Sequence, residues 1–162
     1  MPTHAEKRHI HHTPEQMFAL VADIEKYPEF LPWCVATRIR EKGTEDGADK
    51  LIADMVIGYK MFREKFGSKV VCHTPQRIDV TYFDGPFKYL TNHWIFEPVE
   101  GQGGDCLIDF YVDFEFRSRL LRTLIEPLFH EAVRRMVAAF ETRAKAIHGA
   151  PDAIPDSPRP VS

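Results

Sequence analysis

Residues 106–116, Cys106-Leu-Ile-Asp-Phe-Tyr-Val-Asp-Phe-Glu-Phe116, run directly into residues 118–136, Ser118-Arg-Leu-Leu-Arg-Thr-Leu-Ile-Glu-Pro-Leu-Phe-His-Glu-Ala-Val-Arg-Arg-Met136. Together they decide the fold. Cys106, Ile108, Phe110, Val112, Phe114 and Phe116 fall on one side of a period of two, with three acids among the residues between them. That is a half-buried antiparallel strand. The period then lengthens. Leu120, Leu124, Leu128, Ala132, Met136, Phe140 and Ala144 recur every four residues, and Leu121, Ile125, Phe129, Val133 and Val137 widen the stripe. This predicts an amphipathic helix over 120–148 laid on an apolar surface. Pro127 kinks it or marks the first turn of its main segment. A sheet curved around this helix encloses either a packed core or a ligand cavity.

Working outward, 162 residues suffice for one domain with a core, and 44% hydrophobic residues exclude wholesale disorder. Twelve Phe suit an apolar interior. A net charge of −3 gives no ground for nucleic-acid binding, and direct DNA binding is not expected. No apolar run approaches 18 residues, and the first residues lack the apolar stretch of a signal peptide, so a cytosolic protein is expected. Cys34, Cys72 and Cys106 are widely spaced, as suits reduced thiols, with no CxxC pair.

A first strand is predicted over 3–11. Thr13-Pro14-Glu15-Gln16 starts a helix, with Thr13 as cap, Pro14 in the first turn and Gln16 completing a capping box. Pro28 and Pro32 allow only a short helical turn after it. Strands follow over 35–42, 50–58, 62–73, 77–84, 89–98 and 106–116. One domain is expected over 1–148, with a disordered proline-rich tail over 149–162.

Several polar residues stand out. His9 and His11 share a strand face and form a pair of candidate metal ligands, but no acid or thiol follows at a ligand spacing, so surface histidines and no metal are expected. Glu64 falls on the apolar face between Phe62 and Phe66. It is either a polar group inside a cavity, a paired structural carboxylate, or a residue turned outward by a bulge. Of Asn92 and His93, one points inward, as an acid or base or as a satisfied core group. Pro32-Trp33 lies on a stiffened loop. It gates a pocket, touches a membrane surface, or caps the core. No nucleophile motif, P-loop, dinucleotide fingerprint or HExxH is present. A binding domain is expected rather than an enzyme.

Tyr27-Pro-Glu-Phe-Leu-Pro-Trp-Cys34, Glu64-x-Phe66-x-Ser68-x-Val70, Gly85-Pro-Phe-Lys88 with Trp94-x-Phe96, and Phe114-x-Phe-x-Ser118 resemble the coenzyme Q-binding START-type family. That family sits in the polyketide cyclase-like superfamily and includes bacterial ribosome-association toxins. The resemblance spans 3 to about 148. It implies an α+β helix-grip fold: a curved antiparallel sheet of about seven strands around a long C-terminal helix, with one or two short helices after strand 1. It implies binding of ubiquinone or a related isoprenoid lipid, with no required cofactor, in support of respiratory electron transport as carrier or chaperone. Transient contact with the surface of the inner membrane goes with that role.

The expected cavity residues are Met55, Phe66, Trp94, Phe110, Phe114 and Phe140, facing Leu124, Leu128 and Met136. Asn92, His93 or Tyr82 would offer a donor to a quinone carbonyl, and Glu64 would do so if protonated. The loop Tyr27–Trp33, with Pro32 and Trp33, and the turn around Gly85–Phe87 are the expected gate. Two other readings stand. A ribosome-binding factor would use a basic patch such as Arg63, Lys65 and Lys69, or Arg134-Arg135. A polyketide cyclase or aromatase would need Glu64 and His93 to converge.

Overall fold

The computed structural model describes residues 3–59, 62–101 and 104–149. The expected tail beyond Gly149 lies outside the described residues. β1 (Thr3–Ile10) leads to α1 (Pro14–Ala22) and a 3₁₀ turn (Ile24–Glu29). Six strands follow: β2 (Cys34–Glu45), β3 (Ala48–Tyr59), β4 (Phe62–His73), β5 (Arg77–Asp84), β6 (Phe87–Pro98) and β7 (Cys106–Phe116). The chain then forms α2 (Arg119–Ile125), a 3₁₀ turn (Glu126–Leu128) and α3 (Phe129–His148). One antiparallel sheet takes the order β1-β7-β6-β5-β4-β3-β2 and curves around α3, the helix-grip arrangement.

Local chemistry sets the elements as expected at the start of the chain. Thr13 Oγ1 accepts from Gln16 N–H at 3.0 Å, and Gln16 Oε1 accepts from Thr13 N–H at 2.9 Å, closing the capping box. On β7 every second residue from Cys106 to Phe116 is buried. The outward residues pair on the surface, as when Glu115 accepts from Lys88 at 3.1 Å.

Pro127 interrupts the C-terminal helix just before its main segment, as expected. Proline lacks an N–H and its ring crowds the preceding turn. At Pro127 the helix breaks, and α2 and α3 are separate. The buried stripe of α3 is Phe129, Val133, Val137, Phe140 and Ala144. Ala132 and Met136, expected on its centre line, flank it instead and are half-buried. Phe140 is fully buried among Tyr27, Phe30 and Trp94, with ring centroids 5.2–5.3 Å away. These rings fasten α3 to the sheet and to the loop after α1.

Toward the β2 edge, Arg40 Nη2 lies 2.7 Å from Asp54 Oδ1, and Nε lies 3.0 Å from both carboxylate oxygens. Arg40 also stacks over Phe83 at 5.3 Å. The guanidinium hydrogen bonds hold the buried Asp54 carboxyl below the usual carboxylate range. A depressed pKa stabilises the fold above the unfolded value, near about pH 4, and that contribution is lost as pH falls through the folded value. Acid titration followed by circular dichroism should show it: Arg40→Met unfolds at higher pH than the wild type. Phe96 is 1% exposed and packs on Trp94 and Phe18. Phe96→Ala should cost about 3–5 kcal/mol in urea unfolding. Phe66→Ala should cost less than half of that, since Phe66 already borders open space.

Candidate functional site

Sheet and α3 do not close on one another. Between them lies an inner chamber of about 300 Å³. An outer chamber of about 380 Å³ leads from it toward the surface. Both volumes lie at the lower end of the range of small-molecule sites. Met55, Ile57, Phe116, Ile125, Val133 and Met136 line both chambers and form a shared neck.

Most of the expected cavity residues meet here. Phe66, Phe87, Trp94, Phe110, Phe114 and Phe140 line the inner chamber. Pro32, Trp33, Glu64 and Leu128 line the outer one, and Met55 and Met136 line both. Asn92 is the inward member of its pair; its Nδ2 donates to the Tyr111 carbonyl at 2.8 Å. Tyr82 packs edge-on against Phe87 and its hydroxyl accepts from Phe87 N–H at 3.1 Å.

Three expected residues line neither chamber: Tyr82, His93 and Leu124. His93 is on the outer face of β6, stacked on Tyr111 with centroids 5.3 Å apart. A register shift between Phe87 and Tyr89 sets the parity, so Leu90, Asn92 and Trp94 face inward and His93 outward. Leu124 is 42% exposed and lines neither chamber. The inward stripe is Leu121, Ile125, Phe129 and Val133, every four residues across Pro127, so the neighbouring stripe that holds Leu124 faces outward.

The β3–β4 register runs without a shift through Ile57 and Glu64, so no bulge turns Glu64 outward. It is half-buried in the outer chamber, where Glu131 and Arg135 are the other charged lining residues. Glu131 accepts from Arg135 Nε and Arg134 Nη2, each at 3.1 Å, and these hydrogen bonds lower its pKa.

The loop that carries Trp33 is tightly made. Trp33 adopts a left-handed φ of 64°, rare for a bulky residue. Its carbonyl accepts from Gly58 N–H at 2.9 Å, which ties it to β3. Arg143 holds the start of the loop by pairing with Glu29 at 2.6 Å and covering the Phe30 ring at 5.0 Å. The Gly85 turn packs closely on β4. A Cβ at Gly85 would meet Phe66 Cβ at 2.6 Å, and Phe87 is buried against Phe66, Tyr82, Phe114 and Phe116.

Two features were not foreseen. Asp105, just before β7, supplies the acid that sequence spacing did not provide beside His9 and His11. Its Oδ2 lies 2.7 Å from His9 Nε2 and 3.0 Å from His11 Nδ1. The antiparallel register of β1 and β7, with Ile10 opposite Cys106, brings them together. The cluster is exposed and lies outside the cavity lining. Cys34 lines the outer chamber, and burial pushes its thiol up to about 11. Cys72 and Cys106 are also buried, free and shifted upward by burial.

A family described as polyketide cyclase / dehydrase and lipid transport matches residues 10–141. The chain is 36% identical over 138 residues to the ribosome association toxin RatA of Rickettsia prowazekii, covering 83% of this chain and 90% of that protein. It is 34% identical over 137 residues to the mitochondrial coenzyme Q-binding protein COQ10 homolog B of Xenopus laevis, covering 83% of this chain and 54% of that protein. The solution structure of an 18 kDa protein from Caulobacter crescentus superposes with a TM-score of 0.75 at 33% identity, over 93% of this chain and all of that one.

With a thiol pKa near 11, about one Cys34 in a thousand is thiolate at pH 8. Iodoacetamide labelling of Cys34, followed by peptide mass spectrometry, should rise about tenfold per pH unit between pH 8 and 10. Occupation of the outer chamber should slow it.

Proposed function

Since the chain belongs to the polyketide cyclase / dehydrase and lipid transport family, we propose that it binds a hydrophobic small molecule, ubiquinone or a related isoprenoid, between sheet and α3. The two-chamber apolar cavity is the observation that carries this reading. An isoprenoid tail in the inner chamber gains roughly 25 cal/mol for each Å² of apolar surface removed from water. The polar head then rests in the outer chamber, where Glu64 and Arg135 lie. In this role the protein carries or chaperones its ligand for respiratory electron transport and needs no cofactor. Binding without turnover fits the site, because His93 faces away from Glu64 and, among the described residues, no histidine lines either chamber. The name of the Xenopus relative points the same way.

A second reading, action on ribosomal subunits, is favoured by the name of the Rickettsia relative. Its expected basic patches are paired in part, with Arg63 and Lys65 exposed. Lys69 meets Glu45, and Arg134 and Arg135 share Glu131.

The test is organic extraction and native mass spectrometry of protein from its own host, with uptake of added ubiquinone measured alongside. A stoichiometric quinone or isoprenoid is expected. Met136→Trp, which fills the neck, should weaken uptake at least about tenfold while unfolding within a few degrees of the wild type. An empty protein that takes up no quinone but co-sediments with ribosomal subunits would overturn the reading in favour of the second.

A further inference from the structure

Leu120, Leu124 and Leu128 repeat every four residues and were expected against the sheet. They are instead 59%, 42% and 41% exposed. Leu120 and Leu124, four apart on α2, adjoin, and Leu128 follows on the turn after it, so exposed leucines run along this whole segment. Large apolar side chains grouped in this way mark a surface that meets something apolar.

The location of this segment says what. Leu128 belongs to both the segment and the outer chamber, and Leu121 and Ile125 on α2 line that chamber. Pro32 and Trp33 line it as well, and Val35, two residues on, is 43% exposed. The cavity therefore opens between an apolar helix and an aromatic loop.

Charge narrows the partner further. Residues 117–128 carry Arg117, Arg119 and Arg122 against one acid, Glu126, while Glu64, Glu131 and Arg135 are the charged residues of the outer chamber. Arg117 and Arg119 are exposed, and Arg122 shares Glu115 with Lys88. A short helix with leucines on one side and arginines beside them is the pattern of a segment lying in a membrane interface, its apolar side in the acyl boundary and its cations at anionic headgroups.

We propose that α2 and the exposed leucines Leu120, Leu124 and Leu128 dock on an anionic bilayer surface, with the cavity mouth set against the lipid. The docking deepens the ligand-binding reading and rests on it for its purpose. A ligand with negligible water solubility passes between bilayer and cavity without crossing solvent. Attachment itself requires no ligand, so the two are separable by experiment.

Flotation of the full chain with vesicles of phosphatidylcholine containing 30% phosphatidylglycerol tests the proposal, against vesicles of phosphatidylcholine alone. The wild type is expected to float with the anionic vesicles, and less at high salt. Leu120→Glu/Leu124→Glu should bind at least about tenfold more weakly, because two carboxylates would have to enter the interface. Arg119→Glu should lose binding to anionic vesicles selectively. Both sites are exposed, so the melting temperature should stay near that of the wild type. Met136→Trp should float normally. A wild type that stays with the soluble fraction overturns the docking, as does a leucine variant that floats as well as the wild type. Flotation abolished by Met136→Trp would assign attachment to lipid taken into the cavity and remove the leucines from the account. Normal flotation by a protein that takes up no quinone would retain the surface and sink the ligand reading alone.

Discussion

Phe140 packs among Trp94, Tyr27 and Phe30, and much of the rest of the molecule follows from where that cluster lies. It fastens the later part of α3 to the sheet and to the loop after α1. Toward its start, the helix approaches the sheet through Phe129 and Val133, and the helix before it has been broken off by Pro127. A curved sheet held to one helix in this way cannot be filled by that helix alone. The remaining volume is lined by aromatic rings from β4, β6 and β7 in edge-to-face contact. Such contacts are directional, which keeps the walls apart where a liquid-like aliphatic core would collapse.

The electrostatics of the sheet keep charge away from this interior. Arg40 and Asp54 neutralise each other beside Phe83, and Lys88, Arg122 and Glu115 form a cluster on the far side of β7. Inside, the polar groups are few and committed: Asn92 donates to the Tyr111 carbonyl, and the Tyr27 hydroxyl donates to the Val21 carbonyl, with burial raising its pKa well above the tyrosine range. The charged residues of the lining, Glu64, Glu131 and Arg135, sit in the outer chamber.

How much of this was legible in the sequence depends on which interaction fixed each residue. β7 could be read in full because its alternation is strict and one face is buried along its whole length. The capping box at Thr13 and Gln16 could be read because it is local in sequence. His93 was legible from its neighbour, since an inward Trp94 turns the adjacent residue outward; what the bulge near Lys88 hides is that Phe87 faces inward as well. Leu124 could not be read, because an exposed leucine and a leucine in a core have the same periodicity. The stripes 120-124-128 and 121-125-129 carry the same period and equally apolar residues, and only packing on the sheet selects the second. Asp105 met His9 and His11 through strand pairing across more than ninety residues, beyond any local motif.

The rotation of the buried stripe on α3 has a consequence for how this fold diversifies. Val137, Phe140 and Ala144 hold the helix in place, whereas Ala132 and Met136, on the adjoining face, border the cavity with far less of their surface in the core. Val137 and Ala144 anchor without lining the cavity, Phe140 does both, and Ala132 and Met136 mainly shape it. Volume at 132 and 136 can drift toward a bulkier or slimmer guest while the grip of the helix on the sheet stays as it is.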